Sequence, residues 1–156
     1  MGIAITLQNF LSSQGIVYDT VTHSHTYSSM DTAHAAHVPG DLVAKAVLLE
    51  DEEGYVVAVV PATHKLELGM IHNQFSRNLT LASEREVGEI FKDCELGAIP
   101  ALGTAYGLET VCEESLLDAP HVYLEAGDHE HLIHLTGEQF RRLMDSARHA
   151  HISYHM

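Results

Sequence analysis

Positive charge is scarce in this chain. Its 156 residues carry 8 Lys and Arg against 22 Asp and Glu, a formal net charge of −14, whereas proteins that grip a long polyanion usually do so with a basic stripe. Binding along DNA is therefore not expected, and any contact with RNA has to be local or shared with a partner. Long apolar runs are missing as well. No stretch approaches the roughly 20 residues of a membrane span, and the start MGIAITLQNF lacks the basic flank of a secretory signal. The expectation is a cytoplasmic chain with no membrane partner. Cysteine is limited to Cys94 and Cys112, which form neither a C-x-x-C pair nor a disulfide framework and fit a reducing compartment as small apolar side chains. There is no H-E-x-x-H, no cysteine–histidine array and no G-x-S-x-G. Metal, cysteine-nucleophile and serine-nucleophile chemistry thus lack a local signature. The 13 histidines do not change this: the nearest sets, His34 with His37 and His129 with His131 and His134, are not expected to hold a metal tightly.

What is present fits one compact domain that buries roughly two thirds of its unfolded surface. Ile3, Leu7, Phe10 and Leu11 recur at helical spacing before Gly15, a residue suited to a left-handed helix end. Ile16 to Thr22 alternates as a strand, and Ser28 or Ser29 can cap a short helix running through His37 to Pro39-Gly40. LVAKAVLLE and YVVAVV, separated by an acidic turn ending in Gly54, predict a central hairpin. A helix is expected after Pro61, and Ser83 with Glu86 forms a capping box for another. CELGAIPALGTAYG, from Cys94 to Gly107, holds too many glycines for a regular element and predicts an ordered loop. Short strands follow at Leu108–Val111, Val122–Glu125 and Leu132–Leu135. Thr136 and Gln139 then cap a last helix, and residues 149–156 are expected to fray. With strands and helices neither alternating nor segregated, the pattern predicts a single-domain α+β fold, a mixed, strongly curved β-sheet with helices packed outside.

Lys45 is the one Lys or Arg in the first sixty-four residues, and it lies inside an apolar strand. Alternation puts it on the face of Val43 and Val47, so that face either opens on a pocket or lets the lysine stem snorkel to the rim. In a pocket, an ammonium would count for several times more than in water. The loop Gly97-Ala98-Ile99-Pro100-Ala101-Leu102-Gly103 is the second candidate, because glycines let several N–H groups approach one anionic oxygen. The polar turn Gly127-Asp128-His129-Glu130-His131 is the third.

Taken together, VAKAVLLE, YVVAVVPATH, GAIPALG and VYLEAGDHEHLIHLTGEQF resemble the YbaK-type aminoacyl-tRNA deacylases, a family known both as free-standing proteins and as the editing insertion of bacterial prolyl-tRNA synthetases. The resemblance runs from the segment around His25 to the final helix. It implies a hydrolase that cleaves the ester of mischarged tRNA at the acceptor end without metal or cofactor, with an aminoacyl-tRNA synthetase as a candidate partner. By the same resemblance Lys45 matches the family's essential lysine. Gly97 and Gly103 bound the glycine–proline loop that lines the aminoacyl pocket, with Ile99, Pro100 and Ala101 within it, and Ala101 stands where the family commonly has a proline. Gly127 and Asp128 match a further pocket edge, with His25 and His129 as neighbouring substrate contacts. From the residues upward, loop N–H groups would stabilise the oxyanion and Lys45 would act as a cation rather than a base, since a base must first lose its proton. The alternative is a binding module of the same fold that captures an amino acid, a nucleotide or a protein without turnover.

Overall fold

In the computed structural model, which describes residues 2–156, a first helix α1 covers Ile5–Ser13 and ends two residues before Gly15, whose φ of +68° fits its glycine. Strand β1 is Asp19–Thr22. Helix α2, Ser29–Ala35, starts where Ser28 accepts the Asp31 N–H at 3.1 Å. The hairpin β2 (Val43–Asp51) and β3 (Gly54–Pro61) then pairs antiparallel, with Lys45 opposite Val60. β4 (His64–Leu66), α3 (Leu68–Phe75), β5 (Thr80–Leu81) and α4 (Glu84–Ile90) follow, the last started by the Ser83–Glu86 capping box. After the long loop, β6 (Glu109–Glu113), β7 (His121–Glu125), β8 (His131–Thr136), α5 (Gly137–Leu143), β9 (Arg148–Ala150) and β10 (Ser153–His155) complete the chain.

Eight strands form one mixed sheet in the order β1-β8-β7-β2-β3-β6-β9, with β5 added to β2. The expected α+β class is observed, with helices on both faces. One face of β2 and β3 (Ala44, Leu48, Val57, Val59) packs with β7, β8 and the loop residues Ile99, Ala101 and Leu102 against Leu7 and Leu11 of α1 and Phe140 of α5. The other face, with Leu49, Val56, Ala58 and Val60, packs on Ile71 of α3 and on Ile152. A small third cluster joins Val43 and Ala62 to Ala33 of α2. Burying a Leu or Phe side chain contributes about 1.5–3 kcal/mol, so these layers fix the sheet and with it every backbone group on its edges.

The structure departs from two sequence expectations. A short strand, β4, precedes the helix expected after Pro61 because it finds a partner ninety residues on, in β10. The tail at 149–156 does not fray: β9 adds to β6 and β10 pairs β4. Glu113 holds it down, accepting the N–H groups of Ile152 at 2.9 Å and Ser153 at 3.0 Å and the Ser153 hydroxyl at 2.8 Å. Pairing at such sequence separation leaves no local signal.

The β7-side edge of β2 is incompletely covered. β7 pairs with it only at Val43 and Ala44, and β5 only at Leu49 and Glu50. Ala82 N–H caps the far side of the gap by donating to Leu48 O at 3.0 Å. Residues 45–47 of a central strand therefore have no strand neighbour on that side.

Candidate functional site

A cleft of about 250 Å³ fills this break in the sheet. Ala46, Val47 and Leu48 of β2 form one wall, Ala82 and Val87 another, Gly97 and Ile99 a third, and Glu125 at the end of β7 closes the floor. The lining is mostly apolar, so a polar group that enters meets few competing donors, and each electrostatic contact is strengthened by the low dielectric.

The loop that carries Gly97 is held by the third sequence candidate. His129 stands at φ +61° and its Nε2 bonds to Leu96 O at 2.5 Å, which requires the proton on Nε2 and leaves the buried Nδ1 without a partner. Gly97 has φ +83°, and a Cβ there would lie 3.2 Å from His129 Cε1 and 3.4 Å from Tyr27 O, so any side chain would be both strained and crowded. Ala98 N–H is spent on Glu95 O at 3.1 Å. The N–H groups of Gly97 and Ile99 donate to no acceptor among the described residues. Two backbone N–H groups without an acceptor thus belong to residues on one wall of the cleft.

Of the residues singled out in sequence, Gly97 and Ile99 line the cleft. Lys45 is not in the lining, but it sits one position along β2 from Ala46 and shares the strand face of Val47. It is half-buried, makes no ion pair among the described residues, and burial lowers its pKa. His25 is at the rim, its ring 5.2 Å from both Tyr27 and His129 and its Nε2 3.7 Å from Glu95. Pro100 and Ala101 are buried behind the wall. Gly103 is packed so closely that a Cβ would meet Thr110 Oγ1 and stand 2.8 Å from Val57 Cβ. Gly127, at φ +107°, lets the turn pass Ala4 and Cys94, and its carbonyl accepts Glu95 N–H at 2.7 Å. Asp128 is fully buried and accepts the N–H groups of Glu130 and His131, both at 3.0 Å, and His131 Nδ1 at 2.5 Å. Burial pushes its carboxyl pKa up, but these donors outweigh it and the net shift is down. Asp128 thus shapes the turn that holds His129.

Burial pushes the thiols of Cys94 and Cys112 up to about 12, so neither is a thiolate at neutral pH. Sequence reasoning passed over Glu125, although VYLEA places a carboxylate in an apolar alternating strand just as VAKAV places a lysine. The same test that selected Lys45 would have found it.

The fold is shared with solved structures, 28 of which match significantly. One, described as a candidate trans-editing enzyme for prolyl tRNA synthetase, superposes with a TM-score of 0.84 at 23% identity, covering 97% of this chain and 96% of its own. Another, from Marinobacter aquaeolei and described as a candidate signal transduction protein, gives 0.81 at 20% identity, with 97% of this chain covered but 31% of the larger protein. No curated protein matches significantly in sequence. The family model described as the aminoacyl-tRNA editing domain matches residues 23–143. The chain belongs to the aminoacyl-tRNA editing domain family.

Proposed function

We propose that the protein hydrolyses the ester of mischarged aminoacyl-tRNA in the cleft at the broken edge of β2. The observation that carries this reading is that two residues lining the cleft of an editing domain, Gly97 and Ile99, have backbone N–H groups without an acceptor among the described residues. They would hold the carbonyl oxygen as it gains charge during attack by water, the step at which a preorganised donor contributes most. Lys45 would supply positive potential from the adjacent strand position, anchoring the terminal phosphate or the developing negative charge, and would remain an ammonium in that role. Exclusion of correct substrates would come from the size and apolar lining of the cleft, the second sieve of editing.

The acidic composition is compatible with this if the acceptor end is gripped by stacking rather than by charge. Tyr27 is 81% exposed beside Gly97, and Leu81 and Leu96 are exposed at the cleft mouth. An aromatic face contributes about 1–3 kcal/mol per stacked base without any cation. Uncharged tRNA should accordingly bind weakly, and the binding should fall only shallowly with salt, since few basic residues are available to neutralise phosphates. Fluorescence anisotropy at increasing salt measures this, and nanomolar affinity at physiological salt without a partner would contradict it.

The direct test is release of amino acid from a panel of mischarged tRNAs by purified protein. Catalytic release from at least one pair is expected. Saturable binding without release would establish the binding-module reading instead.

A further inference from the structure

Glu125 is 1% exposed, and neither carboxylate oxygen has a hydrogen-bond partner among the described residues. Few features are so costly to a fold, since a buried charge needs a partner or gives up its ionisation. Burial raises its pKa to about 7; a nearby Thr32 hydroxyl opposes this and the negative charge of Asp128 reinforces it. Thr32 Oγ1 also lies 2.6 Å from Thr26 Oγ1, a bond in which either hydroxyl can donate. The Val43↔Tyr123 pair, followed two residues on, puts Lys45 and Glu125 on the same sheet face, yet no ion pair joins them within 4.0 Å. The strands separate there, and the cleft lies between. The carboxylate thus belongs to a residue of the cleft lining and has no hydrogen-bond partner among the described residues, and the cleft walls are chiefly apolar apart from Ser29 and Glu84.

A ligand that satisfies Glu125 must bring a cation or a strong donor into a largely apolar pocket whose other polar side chains are Ser29 and Glu84. An aminoacyl ester carries one such group, the α-ammonium, two bonds from the carbonyl carbon. With the carbonyl oxygen on the Gly97 and Ile99 N–H groups, the ammonium is held within the same cleft as Glu125. We infer that Glu125 is the positioning residue for the α-ammonium of the aminoacyl group, so that the site takes esters with a free amino group and rejects N-acylated ones. This rests on the deacylase reading and narrows its substrate class. The entering ammonium supplies the missing partner and draws Glu125 into its ionised form, because an opposite charge within about 4–6 Å favours ionisation. An N-acyl amide carries no charge and strands the carboxylate, the kind of mismatch that a site built for a hydrogen bond rejects strongly.

The experiment compares single-turnover hydrolysis of mischarged aminoacyl-tRNAs with their N-acetylated counterparts, for wild type and Glu125→Gln. Wild type should prefer the free amine by about 10²-fold or more. In Glu125→Gln that ratio should collapse towards one, through loss on the free-amine substrate and little change on the acetylated one. A merely structural role would depress both substrates alike and keep the ratio. A retained preference in the variant, or equal hydrolysis of both by wild type, overturns the inference. In parallel, calorimetry with stable 3′-aminoacylamino-3′-deoxyadenosine amides, free and N-acetylated, reads recognition without turnover. If wild type releases no amino acid from any tRNA, the deacylase reading fails. A free-amine preference in the amide binding that disappears in Glu125→Gln would still sustain the ammonium site, and its absence would overturn that too.

Discussion

Lys45→Ala should yield a folded protein whose single-turnover deacylation is about 10²-fold slower or worse. That is the scale on which removal of one preorganised charge-stabilising group is felt. The lysine sits half-buried in the middle of β2, opposite Val60, without an ion-pair partner, and burial lowers its pKa. A structural lysine in such a place would be expected to reach an acidic partner, which an acidic chain supplies in plenty. Truncation removes a desolvated cation and opens little core, so the melting temperature should change little. Arginine should rescue poorly because its broad planar fork does not match a site shaped for a compact ammonium, and methionine should not rescue at all. Turnover near that of wild type in a well-folded Lys45→Ala protein would assign the side chain to snorkelling and leave the Gly97–Ile99 wall as the centre.

The elements nearest in sequence were legible because their causes are local. The capping boxes at Ser83–Glu86 and Thr136–Gln139 and the hairpin of β2 and β3 each depend on residues only a few positions apart, and each formed as expected. The glycine–proline loop was recognisable as a loop. Its division of labour was not: Gly97 needs its positive φ at the cleft, while Gly103 is required by the packing of Val57 and Thr110 behind it. Both are glycines in the same short stretch, and only the tertiary neighbours separate them. The cleft itself was illegible because it is an absence, three residues of β2 that β7 leaves and β5 has not yet reached. The tail failed for a related reason, since β10 and Glu113 lie forty residues apart.

Glu113 and Glu125 set the sharpest contrast, and their substitutions should move stability in opposite directions. Both are 1% exposed glutamates at the ends of strands. At Glu113 burial raises the pKa, but donors from Ile152, Ser153, Ser115 and His151 outweigh it and the net shift is down. Its contribution is therefore present above the unfolded-state pKa near 4.5 and is lost as pH falls through the lower folded value. Glu113→Ala strands the two amides and the hydroxyl that hold the tail, each costing about 1–3 kcal/mol, so roughly 3 kcal/mol or more should be lost at pH 7. At Glu125 burial outweighs the opposing Thr32 hydroxyl and the folded pKa rises from 4.5 to about 7. Between those values the unfolded chain loses its proton while the folded chain keeps it, so wild-type stability falls as pH rises, by up to about 3 kcal/mol at about 1.4 kcal/mol per unit. Glu125→Gln removes that dependence, and its neutral amide is less costly to bury than a carboxylate. The variant should match wild type near pH 4 and exceed it by several degrees in melting temperature at pH 8. Thermal melts of wild type, Glu113→Ala and Glu125→Gln from pH 4 to 8 measure both signs in one series. A Glu125→Gln protein less stable than wild type at pH 8 would mean that the carboxylate has a partner in the fold. Stabilisation there would mark Glu125 as a residue the fold tolerates at a cost, as expected of a group kept for a ligand rather than for folding.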